Sequence, residues 1–354
     1  MELPRKDGYK TKLLIIFTGG TIGSAPGADG LAPDGAAARL LLQLFAARRP
    51  TPLADSVEWT VCEPLSTLSE NITPEHWNRL LDALQPILSE RRPAYEGILI
   101  THGTDTLAYT AALLDQWLTD VPLPVVLVSS QLPLQNPAAD GVDNLAAAVD
   151  FIADTHAPGV FAACRGEDGG SVIHRGISLR QCDTATDQFV SFGPPLGTIV
   201  EHRFRPTCDL WLSAAPPLSV PRGRLLPCVL PLSPVPGFDY RCVELTQDVR
   251  AVLHGVYHSG TACAGDGEHS PYSLLYLQKR CREREIPVFL APVRREDYAT
   301  SHELRRAGIY PLYGLSYEAA YTRLLIAFSC CVNAADALGR LGLPAQNDIE
   351  RAGN

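Results

Sequence analysis

The sequence predicts an α/β protein with a larger N-terminal domain, whose mostly parallel sheet is flanked by helices, and a smaller C-terminal α/β domain. Three observations carry that prediction. Short apolar runs of strand length, such as Leu13–Phe17 and Ile98–Ile100, alternate with stretches whose apolar residues recur at helical spacing. At 354 residues the chain exceeds the usual single core. The alternation is interrupted by a proline-rich stretch, 193–236, within which apolar Val229-Leu230 hints at a strand, and then resumes. The expected organisation is therefore a domain over 1–192, a linker over 193–236 and a second domain over 237–354.

Composition removes several classes of function. A net charge of −9 supplies no basic footprint, which argues against nucleic acid as the partner. The apolar run after Lys10 and Lys12 covers only Leu13–Phe17, too short for a signal peptide or a membrane span. Ten cysteines are scattered through a long chain rather than framing a small one, so they are expected as reduced thiols in a cytoplasmic protein. No CxxC pair or zinc spacing occurs, and no metal is expected.

Taken in order, the first predicted strand, Leu13–Phe17, ends in Thr18-Gly19-Gly20-Thr21-Ile22-Gly23-Ser24. Its glycines let the backbone pass close to a ligand and present amide N–H groups to it. The spacing does not meet GxGxxG, and no lysine follows as in a phosphate-binding loop, which disfavours a nucleotide reading. The next segment, Ala25–Ala38, is rich in Gly, Ala, Pro and Asp and is expected as a loop acting as a lid. Thr73-Pro74-Glu75 opens a helix on which Trp77, Leu80, Leu81, Leu84 and Leu88 share a face.

Ile98–Ile100 is the next clear strand, followed by Thr101-His102-Gly103-Thr104-Asp105-Thr106 and a helix marked by Leu107, Ala111, Leu114 and Leu118. Open α/β sheets bind ligands at such turns, beyond a strand's carboxyl end and beside the next helix's N–H groups. Hydroxyls and an aspartate there also serve as plain N-caps, and both readings stay open. Beyond it lie a helix over Gly141–Asp154 and strands over Gly159–Ala163 and Val172–Ile177. The second half is expected as strand Ala251–Tyr257, helix Tyr272–Arg282, strand Ile286–Ala291, helices Glu303–Ala307 and Tyr317–Phe328, and a polar tail.

Together, TGGTIG after the first strand and HGTDT after the later one resemble the bacterial-type L-asparaginases, a family of threonine amidohydrolases. Ser129-Ser130-Gln131-Leu132-Pro133, Ala139-Asp140-Gly141 and Asn144-Leu145 look like its next blocks in order, and the TIG and SQLPL runs are most similar to the cytoplasmic type I branch. The resemblance covers residues 13–155 and is patchy beyond. It implies that Thr21 attacks the side-chain amide carbon to form an acyl-enzyme, while Thr104, Asp105 and a nearby lysine handle protons and water. Asp105 also grips the substrate ammonium group. Substrate contacts fall by resemblance to Gly20, Ser69, Gly103 and Ser130. Glu70, where the family often has an uncharged polar residue, could add a second carboxylate to the ammonium site or be a solvated acid at a helix start.

Two positions depart from the family pattern. Leu31 stands at the lid tyrosine, and Tyr257, Tyr298 and Tyr310 lie too far along the chain to be placed. Arg180 stands at the lysine, with Gln181 beside it; arginine keeps its charge and cannot serve as a neutral base. As a catalytic residue it is therefore expected to hold Asp105 ionised, and the other reading is an unrelated surface arginine. The expected function is thus an asparaginase-like amidohydrolase releasing ammonia from asparagine or glutamine, with altered or reduced activity. The alternative is a catalytically silent relative that binds an amino acid as sensor or partner. The resemblance further implies a small-molecule amide substrate, a homo-oligomer (dimer or tetramer) and no cofactor.

Overall fold

The strand-length apolar runs of the first half are laid side by side in one sheet. The structure is a computed structural model describing residues 10–27, 30–33, 35–88, 94–207, 218–294 and 302–344, with backbone alone for 24–27, 30–33 and 35–38. The chain divides into two compact units, Met1–Ser213 and Ala214–Asn354.

In the first unit β1 (Thr11–Phe17) is followed by a two-stranded hairpin, β2 (Ser24–Gly27) and β3 (Gly30–Pro33), then α1 (Gly35–Arg48) and β4 (Val57–Cys62). Next come α2 (Pro74–Leu88), β5 (Gly97–Thr101), α3 (Leu107–Trp117), β6 (Pro124–Val128) and α4 (Gly141–Thr155). The unit continues through β7 (Gly159–Arg165), β8 (Ser171–Arg175), β9 (Gly197–Val200) and β10 (Arg203–Pro206). The large sheet has the order β10-β9-β8-β7-β6-β5-β1-β4. Its strands from β7 to β4 run parallel, and β8, β9 and β10 are added antiparallel. Every residue of β5 and β6 is buried, which is why they read as unbroken apolar runs rather than alternating ones. β4, at the edge, has only partly covered and exposed residues.

This order puts the site in place. From β1 the chain crosses to β4 on one side, and from β5 it crosses to β6 on the other. The carboxyl ends of β1 and β5 therefore flank a topological switch point, where an open parallel sheet leaves a crevice.

α4 covers the sheet with Leu145, Ala148, Val149, Phe151 and Ile152, all fully buried. Phe151 meets Phe161 and Phe204 edge-on, at ring-centroid distances of 4.8 and 5.0 Å. Phe151→Ala is expected to cost about 3–5 kcal/mol, read as a lower midpoint in urea unfolding.

The second unit contains β11 (Val229–Leu232), β12 (Ala251–His254), α5 (Leu274–Arg282), β13 (Val288–Val293), α6 (His302–Arg306), β14 (Tyr310–Tyr313), α7 (Tyr317–Cys330) and α8 (Ala334–Arg340). Its sheet is parallel in the order β11-β12-β13-β14. No helix among the described residues is long and apolar enough to cross a membrane. The nine described cysteines are free thiols.

Three expectations need correction. The segment 25–38 is not only loop: β2 pairs with β3, with Gly27 opposite Gly30 at the closed end, and α1 starts at Gly35. The stretch 193–236 contains β9, β10 and β11. Its prolines mislead because Pro206 and Pro231 sit on edge strands, where a missing N–H costs little. The expected polar tail holds α8, capped by the Asn333 side chain accepting from Asp336 N–H.

Candidate active site

The first loop is shaped by contacts that admit only glycine. Thr18 Oγ1 donates to Thr101 O at 2.6 Å, tying the end of β1 to the end of β5. Gly19 and Gly20 then take φ values of +97° and +73°, the left-handed region that side chains avoid. A Cβ on Gly19 would lie 2.3 Å from Thr67 O, and one on Gly20 would lie 2.2 Å from Gly103 N. Thr21–Gly23 forms one 3-10 turn, closed by Gly23 N–H donating to Gly20 O at 3.0 Å and anchored by fully buried Ile22.

The second loop meets the first at that point. Gly20 packs against the backbone of Gly103, and a Cβ on Gly103 would lie 2.4 Å from Ser69 Oγ. Thr21 and Thr104 are the residues that follow the two touching glycines, and both are half-buried. Ser69 belongs to a short 3-10 turn, Ser69–Asn71, and is buried. Its hydroxyl donates to Asp105 Oδ2 at 2.9 Å and accepts from Asp105 N–H at 3.3 Å, while its carbonyl accepts from Thr106 Oγ1 at 2.8 Å. Three segments (18–23, 67–71 and 101–106) thus converge at the carboxyl ends of the parallel strands. Glu70, beside Ser69, and Asp105 are exposed, so two carboxylates stand at the rim.

Ser130 has its hydroxyl engaged within the loop between β6 and α4. It is fully buried; its hydroxyl donates to Leu132 O at 2.6 Å and accepts from Gly141 N–H at 3.1 Å. Asp140 accepts from Gln131 N–H at 2.8 Å and from Asn144 Nδ2 at 2.9 Å, and Asn144 also donates to Ser129 O at 3.0 Å. This network shapes the loop between β6 and α4. Gln131 extends it, donating from Nε2 to Asp187 O at 2.8 Å and to Cys182 Sγ at 3.3 Å.

Arg180 is exposed, its backbone N–H held by Val190 O at 2.9 Å, and no described residue forms an ion pair with it. The structure does not join Arg180 to Asp105. Half-buried Cys182, two residues on, feels the charge of Asp105; burial pushes its thiol pKa up, the Gln131 bond opposes that, and Asp187, Asp183 and Asp105 add to it. The side chain of Leu31 and all of Tyr298 lie outside the described residues. In the second unit Tyr257 is exposed, and buried Tyr310 donates to Pro344 O at 3.2 Å.

Sequence reasoning missed the support beneath the second loop. His102 is buried, with Nδ1 2.8 Å from Gly103 O and Nε2 2.8 Å from Thr110 Oγ1, which accepts from Trp77 Nε1 at 2.9 Å. The available signal was Thr110, a hydroxyl on the buried face of a helical pattern, which requires a partner.

Burial lowers the His102 pKa to about 4, against the pull of Gly103 O and Asp105. His174 and His254 are likewise held down to about 4 by burial. In the unfolded chain these groups titrate near about 6.5, so it takes up protons first as pH falls. Their contribution to stability is complete above about pH 6.5 and is lost as pH drops toward about 4, by about 1–2 kcal/mol each between about pH 7 and pH 5. Thermal melts at those two pH values should show the lower midpoint in acid.

Comparison with known proteins identifies the family and the fold. The family description "Asparaginase, N-terminal" matches residues 12–208. The chain belongs to the asparaginase family. An L-asparaginase of Thermococcus kodakarensis is 29% identical over 325 residues, covering 89% of this chain and 92% of the relative. A subunit of the glutamyl-tRNA(Gln) amidotransferase of Pyrococcus horikoshii is 27% identical over 277 residues, covering 73% of this chain; the match spans only 59% of that longer relative. Among solved structures, the thermostable L-asparaginase of Thermococcus kodakarensis superposes with a TM-score of 0.73 at 26% identity, covering 95% of this chain and 98% of that one. L-asparaginase I of Vibrio cholerae shares the fold, with a TM-score of 0.73 at 23% identity over 96% and 98% of the two chains. Membership in the asparaginase family implies a small-molecule amide substrate.

Proposed function

We propose that this chain hydrolyses the side-chain amide of asparagine or glutamine through an acyl-enzyme on Thr21. The observation that supports the reading is the closure of Gly20 on Gly103, the residues preceding Thr21 and Thr104, with Ser69 bonded to Asp105 beside them. The Thr21 oxygen attacks the amide carbon, ammonia leaves with the hydroxyl proton, and water then cleaves the ester to release the acid. A threonine hydroxyl is a weak nucleophile until its proton is taken, and Thr104 with Asp105 is the nearby set for that task. Backbone N–H groups of the two loops hold the oxyanion, each worth on the order of 100- to 1000-fold in rate. Ser69 orients Asp105, which with Glu70 grips the substrate ammonium group.

Arg180 adds a fixed positive charge at the exposed edge and no proton transfer. Arg180→Gln is therefore expected to change kcat by less than about tenfold, whereas loss of Asp105 should remove most activity. Ammonia release from L-asparagine and L-glutamine tests the function itself. A protein that releases none from either, yet shows a thermal shift with aspartate, is a silent amino-acid binder and the proposal fails.

A further inference from the structure

The hydrogen bonds under the second loop have only one consistent direction. Gly103 O can only accept, so the proton of His102 sits on Nδ1. With the ring neutral, Nε2 is bare, and Thr110 Oγ1 must donate to it. Trp77 Nε1 can only donate, and it does so to the remaining lone pairs of Thr110. The chain therefore runs from Trp77 on α2 through Thr110 on α3 to His102 and ends on the carbonyl of Gly103.

That carbonyl shares a planar trans peptide with the N–H of Thr104, so the two point in opposite directions. Drawing Gly103 O to the buried His102 ring therefore turns the Thr104 N–H away from that ring. Among the described residues no acceptor takes this N–H. A carbonyl that accepts a hydrogen bond also makes the N–H of its own amide a stronger donor.

We infer that Trp77, Thr110 and His102 are positioning residues that aim and polarise the Thr104 N–H as an oxyanion donor. The inference rests on the amidohydrolase reading and adds the groups that prepare its donor. None of the three touches substrate; each acts through the next.

The test separates aim from bulk structure. Thr110→Val keeps shape and removes the hydroxyl; His102→Ala removes the ring; His102→Asn restores a donor near the Nδ1 position. Wild-type protein labelled with 15N-histidine should show His102 as the neutral, Nδ1-protonated tautomer at neutral pH. Thr110→Val is expected to lower kcat about tenfold at unchanged KM, His102→Ala about 100-fold, and His102→Asn to recover most of that loss, since one oxyanion donor is worth on the order of 100- to 1000-fold. An Nε2-protonated ring, or full kcat in folded Thr110→Val, would overturn the inference. If His102→Ala does not fold, the tautomer and the Thr110→Val split of kcat from KM decide it. If wild-type protein releases no ammonia, the amidohydrolase reading fails first, and slowed exchange of the Thr104 N–H on adding aspartate would still support its aim, while unchanged exchange would overturn it.

Discussion

Thr21→Ala should reduce ammonia release from L-asparagine by about 10,000-fold while leaving the melting temperature within a few degrees. The size follows from what is lost: removing a nucleophile leaves only orientation and oxyanion binding, and knockouts of single members of a catalytic triad cost on the order of 10⁴- to 10⁶-fold. The small effect on folding follows from the local geometry. Thr21 is half-buried and no described group hydrogen-bonds its hydroxyl, while the turn is held by Ile22 and by the Gly23–Gly20 bond. Single-turnover assays with labelled substrate should find no covalent adduct in the variant and one in the parent. Unchanged activity in Thr21→Ala would show that the nucleophile lies elsewhere.

Gly20→Ala should be nearly as damaging, by a different route. The added methyl carbon would lie 2.2 and 2.4 Å from Gly103 N and Cα and 2.9 Å from the His102 carbonyl carbon, in a residue with φ of +73°. All three contacts are backbone, so no side chain can swing aside; the loops must separate. A displacement of about 1 Å at a reacting centre can cost on the order of 100-fold in rate. Clash and backbone strain together should cost about 2–4 kcal/mol. Gly265→Ala is the control, since a Cβ added there would have nothing within 4 Å and its φ is not left-handed; the change should stay within about 0.5 kcal/mol. Steady-state kinetics and urea unfolding of both variants check the pair. Equal behaviour at the two positions would mean that the loops do not meet as described.

Much of the site could be read locally. Glycines at 19 and 20 after a buried strand, and a hydroxyl-rich turn before a helical pattern, mark two loops at strand ends by backbone requirements alone. The roles of Ser130 and Arg180 could not be read this way. A serine at a strand's end looks the same whether it meets substrate or, as here, ties Leu132 to Gly141. An arginine in an irregular stretch could not be assigned an outward direction from spacing; its exposure follows from the pairing of 179 with 191 across the loop. The proline-rich stretch failed for a related reason, because proline forbids only one ladder bond and an edge strand does not need it.

By itself the sequence determined the α/β class, the central strands and the two glycine-bearing loops, because burial on both faces and left-handed backbone leave local marks in residue choice. Only the tertiary structure decided that Gly20 rests on Gly103, that Ser69 reaches Asp105, and that Trp77 and Thr110 stand behind His102. Those are contacts between segments 8 to 83 residues apart, made when a switch in strand order closes the carboxyl ends of β1 and β5 together, and no local pattern encodes which distant partner a polar atom will meet.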